Sequence, residues 1–586
     1  MPQVVDFNGV TRYVPGTYNA FQIITDNPGP LPDFLVPMIV GQADQGYPLD
    51  LASNSDRFAF EASDPWLETT NTTAIAQQFG AKSELHVAAT FAWRHGLGRA
   101  YVAALNAITR AKVIAITAVG PVNQIYVRPR LWGAPPGWHR IRFASNIWAV
   151  QRVSAFTPLV ANASSGGTRA YVRDGSWIRK GQTVYVGDND SANTAYVVKA
   201  VGKEISGGQE RWYVDITTTF AAAYTTAQYG GLAIYESAVR VSAAASTAND
   251  LVAAINAEGT FAAEIHADNT ALPDAVASLV AFKDNTSWGT VTDGTSPALA
   301  TSDVTALVTH MDGGGWETFV QRKRVVPRGY LLVSSSATNH ATMRDYSIAE
   351  RTRGYPISVC FGVAWGDTST TAGDTTSAVF RVASLDCQDC MLVANGHNKQ
   401  AAYLSTAAAV FGRHMSGGIN HNLTNDAFVG VEEWEVSWSR STAQLETLIR
   451  AGVITNRLLL QNGSSGWVIS QGLNTLQNNA GLIWNIGDQT TAYIHQRDLA
   501  DFTARTLVFD LDAQAVGADA IQDATVIQLV QGRVRRSLIP AGYVVAFSMG
   551  GVVLNTAGNG YEVRFTTRYP APIDFITTLN SIQIGG

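Results

Sequence analysis

Charge is what this chain has least of. Asp, Glu, Lys and Arg together make up 15% of its 586 residues, against about 25% in ordinary soluble domains, while hydrophobic residues reach 46% and Trp alone numbers 14. A monomer of this length is expected to show water a more charged face. The shortage therefore argues that much of the surface is covered by other subunits, with a neutral surface rich in Ala, Thr and Gly as the alternative. A net charge of −6 gives no general attraction to phosphate backbones, which counts against nucleic acid as a direct partner. The three cysteines, Cys360, Cys387 and Cys390, are too few for a disulfide framework. No apolar run approaches the ~20 residues of a membrane span, and residues 1–8 lack the basic-then-apolar order of a signal peptide. The expectation is a protein made and kept in a cytoplasm, with no membrane insertion.

Catalytic signatures are missing as well. There is no GxSxG elbow, no HExxH and no P-loop. The glycine-rich run Met311-Asp312-Gly313-Gly314-Gly315-Trp316 lacks the Lys-Ser/Thr that grips phosphate and reads as a turn after a helix. His414 and His421 read as ordinary helix-terminal histidines. Cys387-Gln388-Asp389-Cys390 has no second ligand pair for zinc and precedes a strand, whereas a redox CxxC opens a helix. Two incidental thiols are the main reading, with a local disulfide or a weak metal site as alternatives. No enzyme activity, cofactor or metal is expected.

What is present is organisation. At this length three or four domains are expected. Residues 26–120 alternate strand and helix signals, with an apolar run at 35–41, a helix at 85–94 and a strand at 101–105. Over 121–237 the grammar changes to short strands separated by Gly, Asp and Asn turns, the pattern of an inserted all-β barrel or sandwich. Residues 238–417 return to α/β alternation. Strands at 330–334, 357–364 and 391–394 interleave with helices at 341–353, 376–385 and 399–414, which predicts a largely parallel sheet. Residues 418–572 form a C-terminal α/β unit with helices at 442–451, 496–506 and 518–537. The fold class is α/β plus all-β, multidomain, with strand-like arms at both termini.

Those arms are the most informative feature. Residues 561–568 read as a strand, Pro570-Ala571-Pro572 breaks it, and residues 573–584 read as a second strand projected away from the body. Ile573, Phe575 and Leu579 lie on one alternating face and Ile576, Ile582 and Ile584 on the other, a composition that calls for a partner sheet. At the other end residues 4–13, with Val4, Val5 and Phe7, read as a strand, Pro15-Gly16 as a turn, and residues 17–25, with Tyr18 and Phe21, as another strand. Two such arms predict an assembly protein that adds strands to its neighbours. The helix predicted at 518–537 carries Arg533, Arg535 and Arg536 near its end, which either complements the helix dipole or contacts an acidic partner.

In order along the chain, several segments match one family. Val14-Pro15-Gly16-Thr17-Tyr18 resembles a PGxY opening, and Val40-Gly41-Gln42-Ala43-Asp44-Gln45-Gly46 a VGxAxxG strand and turn. Residues 86–102 resemble a helix-glycine-strand run written FFxNGGxxxYVV, although the NGG step reads His95-Gly96-Leu97. Gly452-Val453-Ile454-Thr455 stands where the family often has GVN, with Ile454 in place of Asn. Taken with the closing strands, the chain resembles the contractile-tail sheath proteins of bacteriophages and related injection machines. The resemblance implies a subtilisin-like topology for 238–417 and no active site. It further implies hexameric rings of self, stacked on a tail tube protein between baseplate and terminator proteins, interlocked by the terminal arms. Contraction would then drive the tube through the host envelope, in a virion tail assembled in the host cytoplasm. Another tail component (tube, terminator or baseplate) and, further off, a hydrolase on the α/β sheet are the alternatives.

Overall fold

The computed structural model describes residues 5–7, 10–12, 35–47, 49, 65–109, 114–117, 124–133, 138–144, 147–188, 191–206, 209–226, 230–236, 239–242, 248–265, 285–290, 296–312, 319–320, 323, 325–353, 355–367, 371, 373–417, 421–431, 434, 442–461, 464–476, 493–514, 523–554 and 561–568.

Its centre is a seven-stranded mixed sheet. The strands are β1 (Leu35–Gly41), β2 (Leu67–Thr69), β3 (Ala100–Ala104), β4 (Val326–Val333), β5 (Ser358–Gly362), β6 (Cys390–Val393) and β7 (Val453–Ile454). Their spatial order is β7-β6-β5-β4-β1-β3-β2. All neighbours are parallel except β2, which runs antiparallel to β3 at one edge. Strands buried on both faces are mostly apolar runs, and β3, β4, β5 and β6 are buried throughout, with Arg328 of β4 and Ser358 of β5 as their polar members.

Strand alternation sorts these residues into two cores. Ile39, Val102, Leu331, Val333, Cys360, Met391 and Ile454 face one way. There they meet α1 (Thr72–Phe79), α2 (Glu84–Arg94) and α6 (Thr406–Ser416). Met38, Val40, Tyr330, Leu332, Val359, Phe361 and Leu392 face the other way. Their partners are α3 (Thr301–His310), α4 (Ala337–Thr352), α5 (Ala378–Leu385) and α7 (Thr442–Ala451). Serine side chains cap α2, α4 and α5: Ser83, Ser336 and Ser377 each accept a backbone N–H from the first turn, satisfying donors that the helix itself leaves free. Helices α2 and α6 touch backbone to backbone, and a Cβ on Gly412 would sit 2.4 Å from the Ala92 carbonyl oxygen.

Between β3 and β4 the chain makes a long excursion. Six antiparallel strands, drawn from residues 153–235, pair in the order Val153–Pro158, Gly231–Tyr235, Thr183–Asp188, Ser191–Ser206, Gln209–Ile216, Arg169–Val172. Val160 N–H donates to Tyr171 O at 2.9 Å and Arg173 N–H to Pro158 O at 3.1 Å, so backbone hydrogen bonds also join the first strand to the last. Val184, Val186, Tyr196, Val198, Val214, Phe220 and Tyr224 fill the interior. Two smaller sheets flank it and draw on both sides of the sequence. Ile114–Thr117, Gln124–Pro129 and Phe261–Ile265 form one; Arg140–Ala144, Ile147–Gln151, Val239–Ser242 and Asn285–Thr290 form the other. The β-rich region thus uses strands on either side of the expected 121–237 span.

A last small core lies beyond the sheet. Helix α8 (Ile494–Gln514) is longer than the expected 496–506. Helix α9 (Asp523–Arg533) continues as a π-helical turn, Val534–Leu538. The two pack Leu499, Leu507, Val530, Val534 and Leu538 against a ribbon of Ala546–Leu554 paired antiparallel with Tyr561–Arg568. Residues 442–454, assigned by sequence to this C-terminal unit, belong instead to the central sheet, because β7 pairs with β6 and Leu448 of α7 sits in the sheet's second core. The expected single strand over residues 4–13 is also corrected. Val5–Phe7 and Val10–Arg12 fold back on each other as an antiparallel pair, and the sequence between them is Asn8-Gly9, a hairpin signal that outweighs the alternation around it.

Candidate assembly interface

In an open parallel sheet, ligands bind past the carboxyl ends of the strands where strand order reverses. Here that point lies between β1 and β4, and this chain fills its β1 side with its own polar groups. Asn106, wholly buried, accepts the Ala43 N–H at 2.9 Å and donates to the carbonyls of Ala43 and Pro297, each at 2.9 Å. Gln42 Oε1 accepts the Leu299 N–H at 3.3 Å, and Ser296 Oγ donates to Asp44 O. Just beside them Arg173 of the excursion donates to both Asp44 oxygens, at 2.7 and 2.9 Å. Tyr403 donates to Glu84 Oε1 at 2.9 Å, and burial raises the Glu84 carboxyl above its ordinary range. The VGxAxxG segment is thus the seam between sheet and excursion.

Two further matching segments also fall on junctions, while residues 14–18 lie outside the described residues. Residues 86–102 run from α2 into β3, and His95, where the family pattern has Asn, is buried with Nδ1 on Phe91 O at 2.8 Å and Nε2 accepting the Val429 N–H at 3.0 Å. Gly452 turns α7 into β7 with φ 88°, a conformation suited to glycine. Ile454, in place of Asn, is fully buried and pairs with Val393.

Two ion-pair clusters fasten α8 beneath the sheet. Arg351, near the end of α4, donates to Asp501 at 2.8 and 2.7 Å while also holding Asp389 just before β6. Arg328 of β4 donates to Asp498 at 2.9 Å and to Met415 O at 3.0 Å. Burial pushes His414, beside Asp498, down to about 4. His421 instead contacts Asp426 at 2.6 Å.

Of the expected arm residues, Val5 and Phe7 lie in the hairpin described above. Val4, Tyr18, Phe21, Ile573, Phe575, Ile576, Leu579, Ile582 and Ile584 lie outside the described residues. So do residues 313–316 of the glycine-rich run. The sequence reading passed over the partner of strand Tyr561–Arg568, Ala546–Leu554. Phe547, Met549, Val563 and Phe565 of this ribbon pack on α8 and α9, whereas Ala546, Ser548, Arg564 and Thr566 are exposed. Among the described residues neither outer edge of the ribbon pairs with another strand. Arg535 and Arg536 are exposed on the π-helical turn, with Val534 and Leu538 pointing inward. Arg533 is half-buried and engaged within the chain. The three cysteines are free thiols, all buried. Among the described residues no helix is long and apolar enough to cross a membrane, and no cluster of His, Cys, Asp and Glu is arranged to hold a metal ion.

The chain is similar to sheath tail proteins. With the sheath tail protein from Desulfitobacterium hafniense it shares 11% identity over 94% of this chain and 100% of that one, at a TM-score of 0.49. With the sheath tail protein from Listeria innocua it shares 10% over 92% and 96%, again at 0.49. The helical sheath of the anti-feeding prophage in its contracted state aligns with 48% of this chain and 76% of its own length, at 13% identity and a TM-score of 0.35. No family model and no curated protein sequence matches the chain.

Proposed function

We propose that this chain is the sheath subunit of a contractile tail, a structural protein with no catalytic site. The observation that carries the reading is the ribbon of Ala546–Leu554 and Tyr561–Arg568, covered on one face and lacking a strand partner at either edge among the described residues. A two-stranded ribbon is marginal alone, and unpaired edges present a row of backbone donors and acceptors to any incoming strand. Its last strand leads directly to Pro570-Ala571-Pro572 and the apolar segment with Ile573, Phe575, Ile576, Leu579, Ile582 and Ile584. Donor and acceptor therefore sit side by side in one chain, and passing the segment to a neighbour's ribbon builds a heterologous contact that repeats.

On this reading the residues 1–25 arm, with Val4, Val5, Phe7, Tyr18 and Phe21, occupies the ribbon's other edge. Subunits stack as hexameric rings around a tail tube, between baseplate and terminator, within a virion tail assembled in the host cytoplasm. The excursion between β3 and β4 forms a barrel-like domain on the outside. Contraction draws its energy from new subunit contacts and needs no nucleotide. Arg535 and Arg536, on the same unit as the ribbon, face the tube with Arg533 behind them.

Deleting residues 573–586 tests this. The expected result is a protein with unchanged circular dichroism that sediments as a monomer or single ring, while the full chain forms striated polymers by electron microscopy. Full-length polymers from the truncated chain would remove the strand-exchange reading.

A further inference from the structure

Cys387 and Cys390 bracket the turn that carries the chain from α5 into β6. Asp386 ends the helix in the left-handed region, at φ 37°, and Cys390 N–H donates back to Cys387 O at 3.4 Å. A turn closed this way holds its outer Cα atoms within about 7 Å, a span that overlaps the ~4.4–6.8 Å of a disulfide. The Thr475 hydroxyl clamps the same backbone, accepting the Cys387 N–H at 3.2 Å and donating to Cys387 O at 3.0 Å.

The two sulfurs are not equivalent. Cys390 is wholly buried at the start of β6, whereas Cys387, 3% exposed, follows the exposed Asp386 and precedes the half-buried Gln388. The neighbouring Cys390 thiol lowers the Cys387 thiol below its ordinary range, and burial holds Cys390 well above its own. Of the two, Cys387 is the one suited to attack first, since the thiolate is the nucleophile and a lowered thiol reaches it more readily.

We propose that Cys387 and Cys390 form a reversible dithiol–disulfide site that reacts with small-molecule disulfides. The Cys387 thiolate attacks one sulfur of an oxidant such as oxidised glutathione, forming a mixed disulfide and releasing one glutathione thiolate. Cys390, losing its proton to solvent, then attacks the Cys387 sulfur and releases the second glutathione. Two protein thiols are oxidised to one disulfide while one glutathione disulfide is reduced to two thiols. Asp389, between the cysteines, is the residue that Arg351 holds while it grips Asp501 of α8, so the oxidation state of the turn is felt where the C-terminal unit joins the sheet.

Native full-length protein incubated with oxidised glutathione, acid-quenched, unfolded, alkylated and mapped by mass spectrometry tests the site. The expected map has Cys387 and Cys390 in a peptide lacking two hydrogens and refusing alkylation, Cys360 alkylated as usual, and full reversal by dithiothreitol. Cys390→Ser should stop at a stable glutathione adduct on Cys387, and Cys387→Ser should leave Cys390 unmodified. Complete alkylation of both thiols in the treated wild type would overturn the proposal, as would an adduct on Cys390 in Cys387→Ser. Modification of the wholly buried Cys360 at the same rate would also overturn it, by placing the chemistry in unfolded chain. Should a variant fail to fold, the wild-type map alone decides.

Discussion

Arg328 Nη2 donates to Asp498 Oδ2 at 2.9 Å, with the two side chains only 8% and 16% exposed, and this pair fixes helix α8 beneath β4. Removing one member leaves the other charge without its partner, which typically costs about 3–5 kcal/mol. Arg328→Met is therefore expected to lower stability by that order, read as the midpoint of urea unfolding. Arg328→Met with Asp498→Leu should lose less than the sum of the two single changes, by more than about 1 kcal/mol. Additive effects would show that the pair does not act as a unit.

Helices α2 and α6 cross at a point where no side chain fits. Gly412→Ala places a methyl group 2.4 Å from the Ala92 carbonyl oxygen, so the helices must separate, at a cost of about 1–3 kcal/mol. Gly466→Ala, at an exposed position with nothing within 4 Å, is the control and should unfold within about 0.5 kcal/mol of wild type. Equal melting temperatures for both variants would contradict the close crossing.

Acid should destabilise the protein well above the carboxylate range. Burial pushes His95, His340 and His414 down to about 4 and His397 to about 3, against about 6.5 in an unfolded chain. Below about pH 6.5 the unfolded state takes up protons that the folded state refuses, so stability falls as pH drops towards 4 and is flat above 7. Glu84 and Asp389, raised by burial, oppose the trend at the acid end. Among the described residues neither ring nitrogen of His397 has a hydrogen-bond partner, and the ring packs against Phe91, Phe428 and Trp434. His397→Phe should therefore reduce the slope of unfolding free energy between pH 6.5 and 5 by up to about 1.4 kcal/mol per pH unit. An unchanged slope in urea titrations would rule that histidine out.

The arginines at the end of α9 and on its π-helical turn give a prediction about binding. On the proposed sheath reading, replacing Arg533, Arg535 and Arg536 together by Gln is expected to weaken attachment to a purified tube at low salt while leaving sheath polymers intact, since charges at an interface rim govern encounter and salt dependence. Co-sedimentation with tube at low and high salt reads this directly. Wild-type binding throughout would return the arginines to a solvated face.

What could be read from sequence followed the range of the forces involved. β1, β5, β6 and the apolar second half of β4 were legible because strands buried on both faces are apolar runs, and helices separate the last three at regular spacing; the start of β4, Val326-Pro327-Arg328-Gly329, gave no such run. β2 is Leu67-Glu68-Thr69 and β7 only Val453-Ile454, too short for any period to register; pairing with a longer neighbour makes them strands. Ala546–Leu554 escaped notice because Gly550 and Gly551 interrupt its alternation, at the place where the ladder register shifts between Met549 and Gly551, as at a bulge. The arms could be read from their proline break and alternating apolar residues, but their acceptor could not. The ribbon becomes a candidate acceptor only once α8 and α9 are seen to cover one of its faces. Arg173 with Asp44 and Arg351 with Asp501 carry no local signal, being 129 and 150 residues apart.

Asn106 has a consequence for how this fold tolerates change. It follows β3, where the excursion departs, and it binds Pro297, where the excursion returns 191 residues later. Departure and return are thus knotted together by one side chain, like the neck of a drawstring bag. Material added to or taken from the bag leaves the neck where it is, and the entropy of closing a longer loop grows only with the logarithm of its length. Trimming the six-stranded body should leave the seven-stranded sheet standing, whereas cutting the cord at Asn106 should loosen the sheet while leaving every strand of the bag intact.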